Sequence, residues 1–187
     1  MDRIMSEVCV FLADGFEEIE GLTVVDLLRR AGIETKTVSV MGREEIQGAH
    51  GITVKSDSLF EDTDFSEVKM LVLPGGMPGT THLKEHKELG ELILKYNEEK
   101  KYLAAICAAP TVFGGMGMLK GKKAICYPGM EKGLTGAEVT CQPVVTDGHI
   151  TTSRGLGTAI EFALALISEL RDKESADTIS KQVVYER

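Results

Sequence analysis

The chain has 187 residues, 43% of them hydrophobic and 27% charged, and a formal net charge of -8. That length and apolar content suit one domain with one sizeable core, spanning residues 1–187. Lys and Arg are outnumbered and form no long basic run, which excludes a nucleic-acid backbone or an anionic membrane surface as main partner and leaves small molecules and other proteins.

The segment Glu7-Val8-Cys9-Val10-Phe11-Leu12 is a short β-rich apolar run that breaks at Asp14-Gly15, so it predicts a buried strand and a turn. A helix follows. Glu17, Glu18 and Glu20 crowd its first turns, Ile19, Leu22, Val25 and Leu28 supply an apolar stripe, and Gly32 closes it after Arg29 and Arg30. A strand is expected over 34–40 and a shorter one around Ile52 to Val54. The apolar run Met70-Leu71-Val72-Leu73, stopped by Pro74-Gly75-Gly76, reads as a central parallel strand. The pattern turns helical from about Thr81 to Glu99, with Leu83, Leu89, Leu92, Ile93 and Tyr96 facing inward, and a second buried strand covers Tyr102 to Ile106.

After Cys107 a short helix carries Pro110 in its first turn and ends in Gly114-Gly115-Met116-Gly117. The β-rich runs around Asp147-Gly148 predict a hairpin over 144–152. Two helices finish the chain: 157–170, burying Ile160, Ala163, Leu164 and Ile167, and a more polar one over 173–184. The alternation predicts an α/β fold, a mostly parallel sheet covered by helices on both faces. The longest apolar segments fall well short of a membrane span and no secretion signal is evident, so a cytoplasmic protein is expected. Cys9, Cys107, Cys126 and Cys141 form no C-x-x-C pair, which fits reduced thiols better than a disulfide framework or a structural zinc site.

In open α/β sheets the ligand crevice lies beyond the carboxyl ends of the strands, and two such ends carry unusual sequences, Pro74-Gly75-Gly76 and Ile106-Cys107-Ala108. Ala105-Ile106-Cys107-Ala108-Ala109 places small residues two positions either side of the thiol, as the nucleophile elbow G-x-S-x-G does with Gly. A thiol at a helix N-terminus faces unpaired N–H groups that stabilise its thiolate, and the N–H groups of Ala108 and of Gly75 or Gly76 could converge on a developing oxyanion. The other reading of Cys107 is a small buried hydrophobe at a tight turn. That reading is preferred for Cys9, in a core strand, and for Cys141, in a short β-rich stretch, with Cys126 the least certain.

His82 and His86 are spaced to share a helix face, but no His-Glu-x-x-His pattern or third ligand accompanies them, so no metal site is assigned. Gly115-Met116-Gly117 follows a helix rather than a strand, and Gly75-Gly76-Met77-Pro78-Gly79 lacks the Gly-Lys-Ser/Thr ending of a phosphate loop, so neither is a nucleotide site. The run Glu17-Glu18-Ile19-Glu20 reads either as a charged first turn or, lying past the first strand, as the source of a carboxyl that reaches the Cys107 crevice.

Five segments in order resemble the DJ-1/PfpI superfamily, nearest its DJ-1 and YajL-like branch: 15–20, 25–32, Leu73-Pro74-Gly75-Gly76, 104–110 and Thr152-Ser153-Arg154-Gly155. The resemblance implies a flavodoxin-like sheet related to class I glutamine amidotransferases, a homodimer paired through the helix bearing Asp26 and Arg30, and no cofactor. It places the elbow cysteine at Cys107, its partner glutamate at Glu20 and the oxyanion-hole glycines at Gly75 and Gly76. Tyr127, Ser153 and Arg154 would line the site. Ala108 stands where the protease-like branch has His, so proteolysis is not expected. Tyr127 precedes Pro128 where some members have His, Leu156 replaces a proline, and His50 stands where an arginine makes a dimer contact. The implied activity is that of a glyoxalase or deglycase acting on α-oxoaldehydes or their adducts. A redox-responsive stress protein that senses oxidation at Cys107, and a metabolite-binding pocket without catalysis, are the other readings.

Overall fold

A computed structural model describes residues 6–186. Strand β1 (Val8–Leu12) runs into helix α1 (Glu18–Arg30), followed by β2 (Thr35–Ser39), β3 (Glu45–Gln47), β4 (Thr53–Lys55), β5 (Ser58–Leu59) and β6 (Met70–Leu73). Helices α2 (Gly79–Glu85) and α3 (Lys87–Glu99) lead to β7 (Tyr102–Ile106) and α4 (Pro110–Gly115). Short strands β8 (Lys123–Ala124) and β9 (Glu138–Val139) precede the hairpin of β10 (Val144–Asp147) and β11 (Ile150–Ser153), and α5 (Ala159–Leu170) and α6 (Lys173–Gln182) end the chain. The main sheet has seven strands in the order β10-β11-β7-β6-β1-β2-β5. All its pairings are parallel except the β10–β11 hairpin. This is the flavodoxin-like α/β arrangement expected.

All five residues of β1 and all four of β6 are buried because helices cover both faces of the sheet. Alternation then splits the core in two. Cys9, Phe11, Leu71, Leu73 and Ala105 face α3 and α4, packing with Ile93, Tyr96 and Phe113. Val8, Val10, Val72, Ala104 and Ile106 face the other way, packing with Leu28 of α1, Phe162 of α5 and Ile179 of α6.

Several expectations need correcting. The single helix over 81–99 is two, because His86 takes an extended conformation and its Nδ1 accepts the Leu89 N–H (3.1 Å), capping α3. His82 and His86 therefore do not share a helix face. In α1, Ile19 is 48% exposed, and Val24 and Leu27 complete the buried stripe with Val25 and Leu28. The buried face of α5 is rotated from the expected one: Ala159, Phe162 and Leu166 join Ala163 and Ile167, while Ile160 and Leu164 are half-buried. The strand near Ile52 is β4, an antiparallel partner of β3. Cys141 is exposed and follows β9 rather than lying in the core.

Of the glycines ending the predicted short helix, Gly114 has a packing role. A Cβ on Gly114 would sit 2.0 Å from the Gly133 carbonyl oxygen and 2.8 Å from Leu134 Cα, whereas one on Gly115 would meet only Lys84 Cε at 3.9 Å. Backbone cannot swing aside as a side-chain tip can. Gly114→Ala is expected to lose roughly 1–3 kcal/mol of stability, with Gly115→Ala near neutral, as read by denaturant unfolding of the two variants.

Candidate active site

Three adjacent strands, β1, β6 and β7, end at one edge of the sheet, where the chain turns from building on one side of β1 to building on the other. The segments that leave these strands meet there: α1 after β1, Pro74-Gly75-Gly76 after β6, and Cys107 after β7. Cys107 takes φ +65°, in the left-handed region that a non-glycine residue seldom adopts. Hydrogen bonds hold that turn on both sides. The Cys107 N–H donates to the Ser153 carbonyl (2.9 Å), and its own carbonyl accepts the Tyr127 N–H (2.8 Å).

The half-buried thiol lies against the Glu20 carboxyl, and each acts on the other's protonation. Glu20, 1% exposed, accepts the Gly75 N–H (3.0 Å to Oε2), and the Leu156 N–H also favours its ionised form. The N–H groups of Gly76 and Ala108 reach the sulfur. Gly75 admits no side chain, since a Cβ there would lie 2.6 Å from Cys107 Cβ and 2.7 Å from Glu20 Oε2. Gly76, at φ +89°, would place a Cβ 2.3 Å from the Glu17 nitrogen. The sequence thus puts its smallest residues where backbone, thiol and carboxyl must touch.

Burial raises the Glu20 carboxyl from 4.5 to about 7, with the Glu17 charge adding to it and hydrogen bonds from Cys107 and Gly75 opposing it. Burial, then the Glu20 charge, pushes the Cys107 thiol up to about 12, against the Ala108 and Gly76 donors. The N–H groups do not by themselves make the thiolate the resting form: beside an ionised Glu20 the sulfur keeps its proton. The two groups hold one proton between them over a wide pH range, and with that proton on Glu20 the repulsion is gone and the anionic sulfur faces two N–H donors.

Cys9 is pushed up to about 12 by burial, against the charge of Lys36, and Cys126 up to about 11 by burial and Glu131.

Tyr127 is half-exposed; its ring is the nearest group to a Cβ placed on Gly155 (Cδ2 at 3.4 Å), a point that lies 4.0 Å from Glu20 Oε1. The Ser153 hydroxyl is taken up by the Pro143 carbonyl (3.0 Å) and Thr158 (2.7 Å), so Ser153 serves the site through its carbonyl. Arg154 is exposed. Asp26 and Arg30 form an exposed ion pair at 2.7 Å on α1, away from the thiol-bearing turn.

Sequence reasoning missed the burial of the other two glutamates. Glu17 caps α1 through the Ile19 N–H (3.2 Å), and Glu18, 1% exposed, accepts the N–H groups of His50 (2.8 Å) and Ile52 (3.4 Å). His50 Nδ1 lies 3.2 Å from Glu17 Oε2 and 3.0 Å from Glu18 Oε2. Among the described residues these three form the one group whose ligand atoms, within 4.8 Å of one another, could gather about a metal ion. His50 Nδ1 is taken up by a hydrogen bond to Glu18 with the Glu17 carboxylate beside it, and a helix start disfavours a metal cation, so the cluster is read as an ion-pair network. Its sequence signal was a run of carboxylates directly after a buried strand.

The DJ-1/PfpI family profile matches residues 6–169. The chain belongs to the DJ-1/PfpI family. Protein DJ-1 homolog B of Arabidopsis thaliana is 38% identical over 98% of this chain and 42% of its own length. Protein dj-1beta of Drosophila melanogaster is 36% identical over 92% of the chain and 93% of its own. The solved structure of oxidized Toxoplasma gondii DJ-1 superposes with a TM-score of 0.92 at 35% identity, covering 96% of this chain and 98% of that one. The chain spans less than half the length of the two Arabidopsis relatives it matches. It is a DJ-1-type protein, and no helix among the described residues is long and apolar enough to cross a membrane.

The raised Glu20 carboxyl makes stability depend on pH. A group whose folded pKa lies above its unfolded value stabilises the fold fully below the unfolded value, here 4.5, and that contribution is lost as pH rises through about 7. Gln at this position stays neutral. The melting temperature of Glu20→Gln relative to wild type is therefore expected to be higher at pH 8 than at pH 5, as scanning calorimetry at the two pH values would show.

Proposed function

We propose that the chain is a cysteine-dependent, cofactor-independent glyoxalase or deglycase that takes small α-oxoaldehydes such as methylglyoxal, or their adducts. The observation that carries this reading is the contact of the buried Glu20 carboxyl with the Cys107 thiol at Gly75, beside the N–H groups of Gly75, Gly76 and Ala108. With the shared proton on Glu20, the Cys107 thiolate adds to the aldehyde carbon, and the new oxyanion, held by Gly76 and Ala108 N–H groups, takes that proton from Glu20. The Glu20 carboxylate then removes the hydrogen of the former aldehyde carbon as a proton and returns it to the neighbouring carbon, while the hydroxyl proton on the former aldehyde oxygen passes to the neighbouring oxygen, so that the first carbon becomes a thioester carbonyl and the second carries the hydroxyl. The product is a Cys107 thioester of a 2-hydroxy acid. Water cleaves it, restoring the thiol. Ala108 supplies no general base next to the sulfur, which disfavours proteolysis.

The second reading is a redox-responsive protein in which peroxide converts the Cys107 thiolate to the sulfenate and then the sulfinate, each step adding one oxygen and releasing water. A carboxyl that keeps its proton near neutrality supports it, because it can donate to a sulfinate oxygen. The T. gondii relative is described as oxidized. Turnover of methylglyoxal by wild type, Cys107→Ser, Glu20→Gln and Glu20→Ala separates the two. Cys107→Ser is expected to be inactive and Glu20→Gln to lose roughly 10²- to 10⁴-fold while keeping thiol oxidation, and Glu20→Ala to lose both. Wild-type turnover in Glu20→Gln would move the redox reading ahead.

We further propose a cytoplasmic homodimer paired through α1, where Ile19, Asp26 and Arg30 are exposed. Light scattering at micromolar concentration is expected to give twice the chain mass, and a monomer would overturn the pairing.

A further inference from the structure

We propose that His50 is a positioning residue for the Cys107–Glu20 pair: its imidazolium, set between Glu17 and Glu18, screens the Glu17 charge and so governs how firmly Glu20 holds its proton. The inference deepens the reading of Glu20 as proton carrier and rests on it only through the proton shared with Cys107.

The connection from His50 to Glu20 is short. Glu17 spends Oε1 on the Ile19 N–H and leaves Oε2 to His50 at 3.2 Å. Its own N–H donates to the Gly75 carbonyl (2.9 Å), and the Gly75 N–H donates to Glu20 Oε2 (3.0 Å), so one residue fixes Glu17 and Glu20 relative to each other. Both carboxyls are largely buried in the same helix start, where their mutual repulsion is little screened by water. Glu18 is clamped by two loop N–H groups, which holds His50 in place.

Glu18 and Glu17 are the charged groups acting on His50, and they raise its pKa. Glu20 feels Cys107 and Glu17. The hairpin that presents His50 carries Arg43, paired with Asp14, and Lys55, paired with Glu44 at 2.9 Å, while Glu45 acts on Lys55.

Charge alone sets the sign of the effect. A protonated His50 cancels part of the Glu17 field, so Glu20 gives up its proton more readily. As pH rises and His50 becomes neutral, that field returns and Glu20 holds its proton harder. The two titrations oppose each other, and the Glu20–Cys107 pair ionises over a wider pH span than one isolated site would.

The test reads the thiolate rather than turnover. The rate of iodoacetamide labelling at Cys107, resolved from Cys141 and the other thiols by peptide mass spectrometry, is followed from pH 5 to pH 9 in wild type, His50→Gln, His50→Arg and Glu17→Gln. His50→Gln is expected to move the midpoint up by roughly half a pH unit and sharpen the profile to single-site width. His50→Arg should move it down, also with single-site width, because its charge persists; Glu17→Gln should also move it down. Identical midpoints and widths in all four proteins would overturn the proposal, as would shifts of the same sign in His50→Gln and His50→Arg, which would mean loop displacement rather than charge. Failed turnover with these shifts intact would sink the enzymatic reading and leave this one standing.

Discussion

Gly75 is gripped by helix α1 at both of its backbone polar groups: its carbonyl accepts the Glu17 N–H at 2.9 Å, and its N–H donates to Glu20 Oε2 at 3.0 Å. A single turn of α1 thereby docks onto the end of β6, and the absence of a side chain at Gly75 lets Cys107, at the end of β7, close on the same point. The three strand ends are fixed by the sheet, so this one residue converts sheet geometry into contact between a thiol and a carboxyl. A methyl group at Gly75 would strike both.

That contact sets two opposing electrostatic demands. Burial and mutual repulsion disfavour charge on either group, yet the N–H groups around them favour an anion. One proton shared by the pair meets both demands at once. Glu17 weights the balance from outside, because its charge is held near Glu20 by the helix start that also needs it as a cap. The proton balance of the pair is thus a property of α1 as much as of the elbow.

Much of this was legible in the sequence. The buried runs of β1, β6 and β7 have few alternatives once their length and apolarity are weighed, and Asp147-Gly148 located its hairpin. The small residues around Cys107 identified the elbow, and their positions beyond strand ends identified the crevice. Strands of two or three residues, such as β3, β5, β8 and β9, were not legible, because partners elsewhere in the chain rather than local pattern define them. The break at His86 depends on a side chain capping a helix rather than continuing one. The high pKa of Cys107 was less legible: the sequence suggested both the N–H groups and the Glu20 carboxyl, 87 positions earlier in the chain, but the burial that weighs one against the other is a property of the fold.

Three glutamates within four residues show how far position alone separates chemically identical side chains. Glu17 turns back along the helix and caps it; Glu18 faces the loop before β4 and fastens it; Glu20 turns under the sheet edge and meets the thiol. Direction explains the difference. Neighbouring residues on a helix lie about 100° apart, so three carboxyls on one turn face three environments. Of Glu18 and Glu20, the two most deeply buried, only Glu18 finds enough N–H donors, with His50, for its carboxyl to lie below the ordinary range, whereas Glu20 keeps too few to offset burial and lies above it. A run that composition alone would assign to solvent is instead divided among a cap, a loop clasp and a proton store.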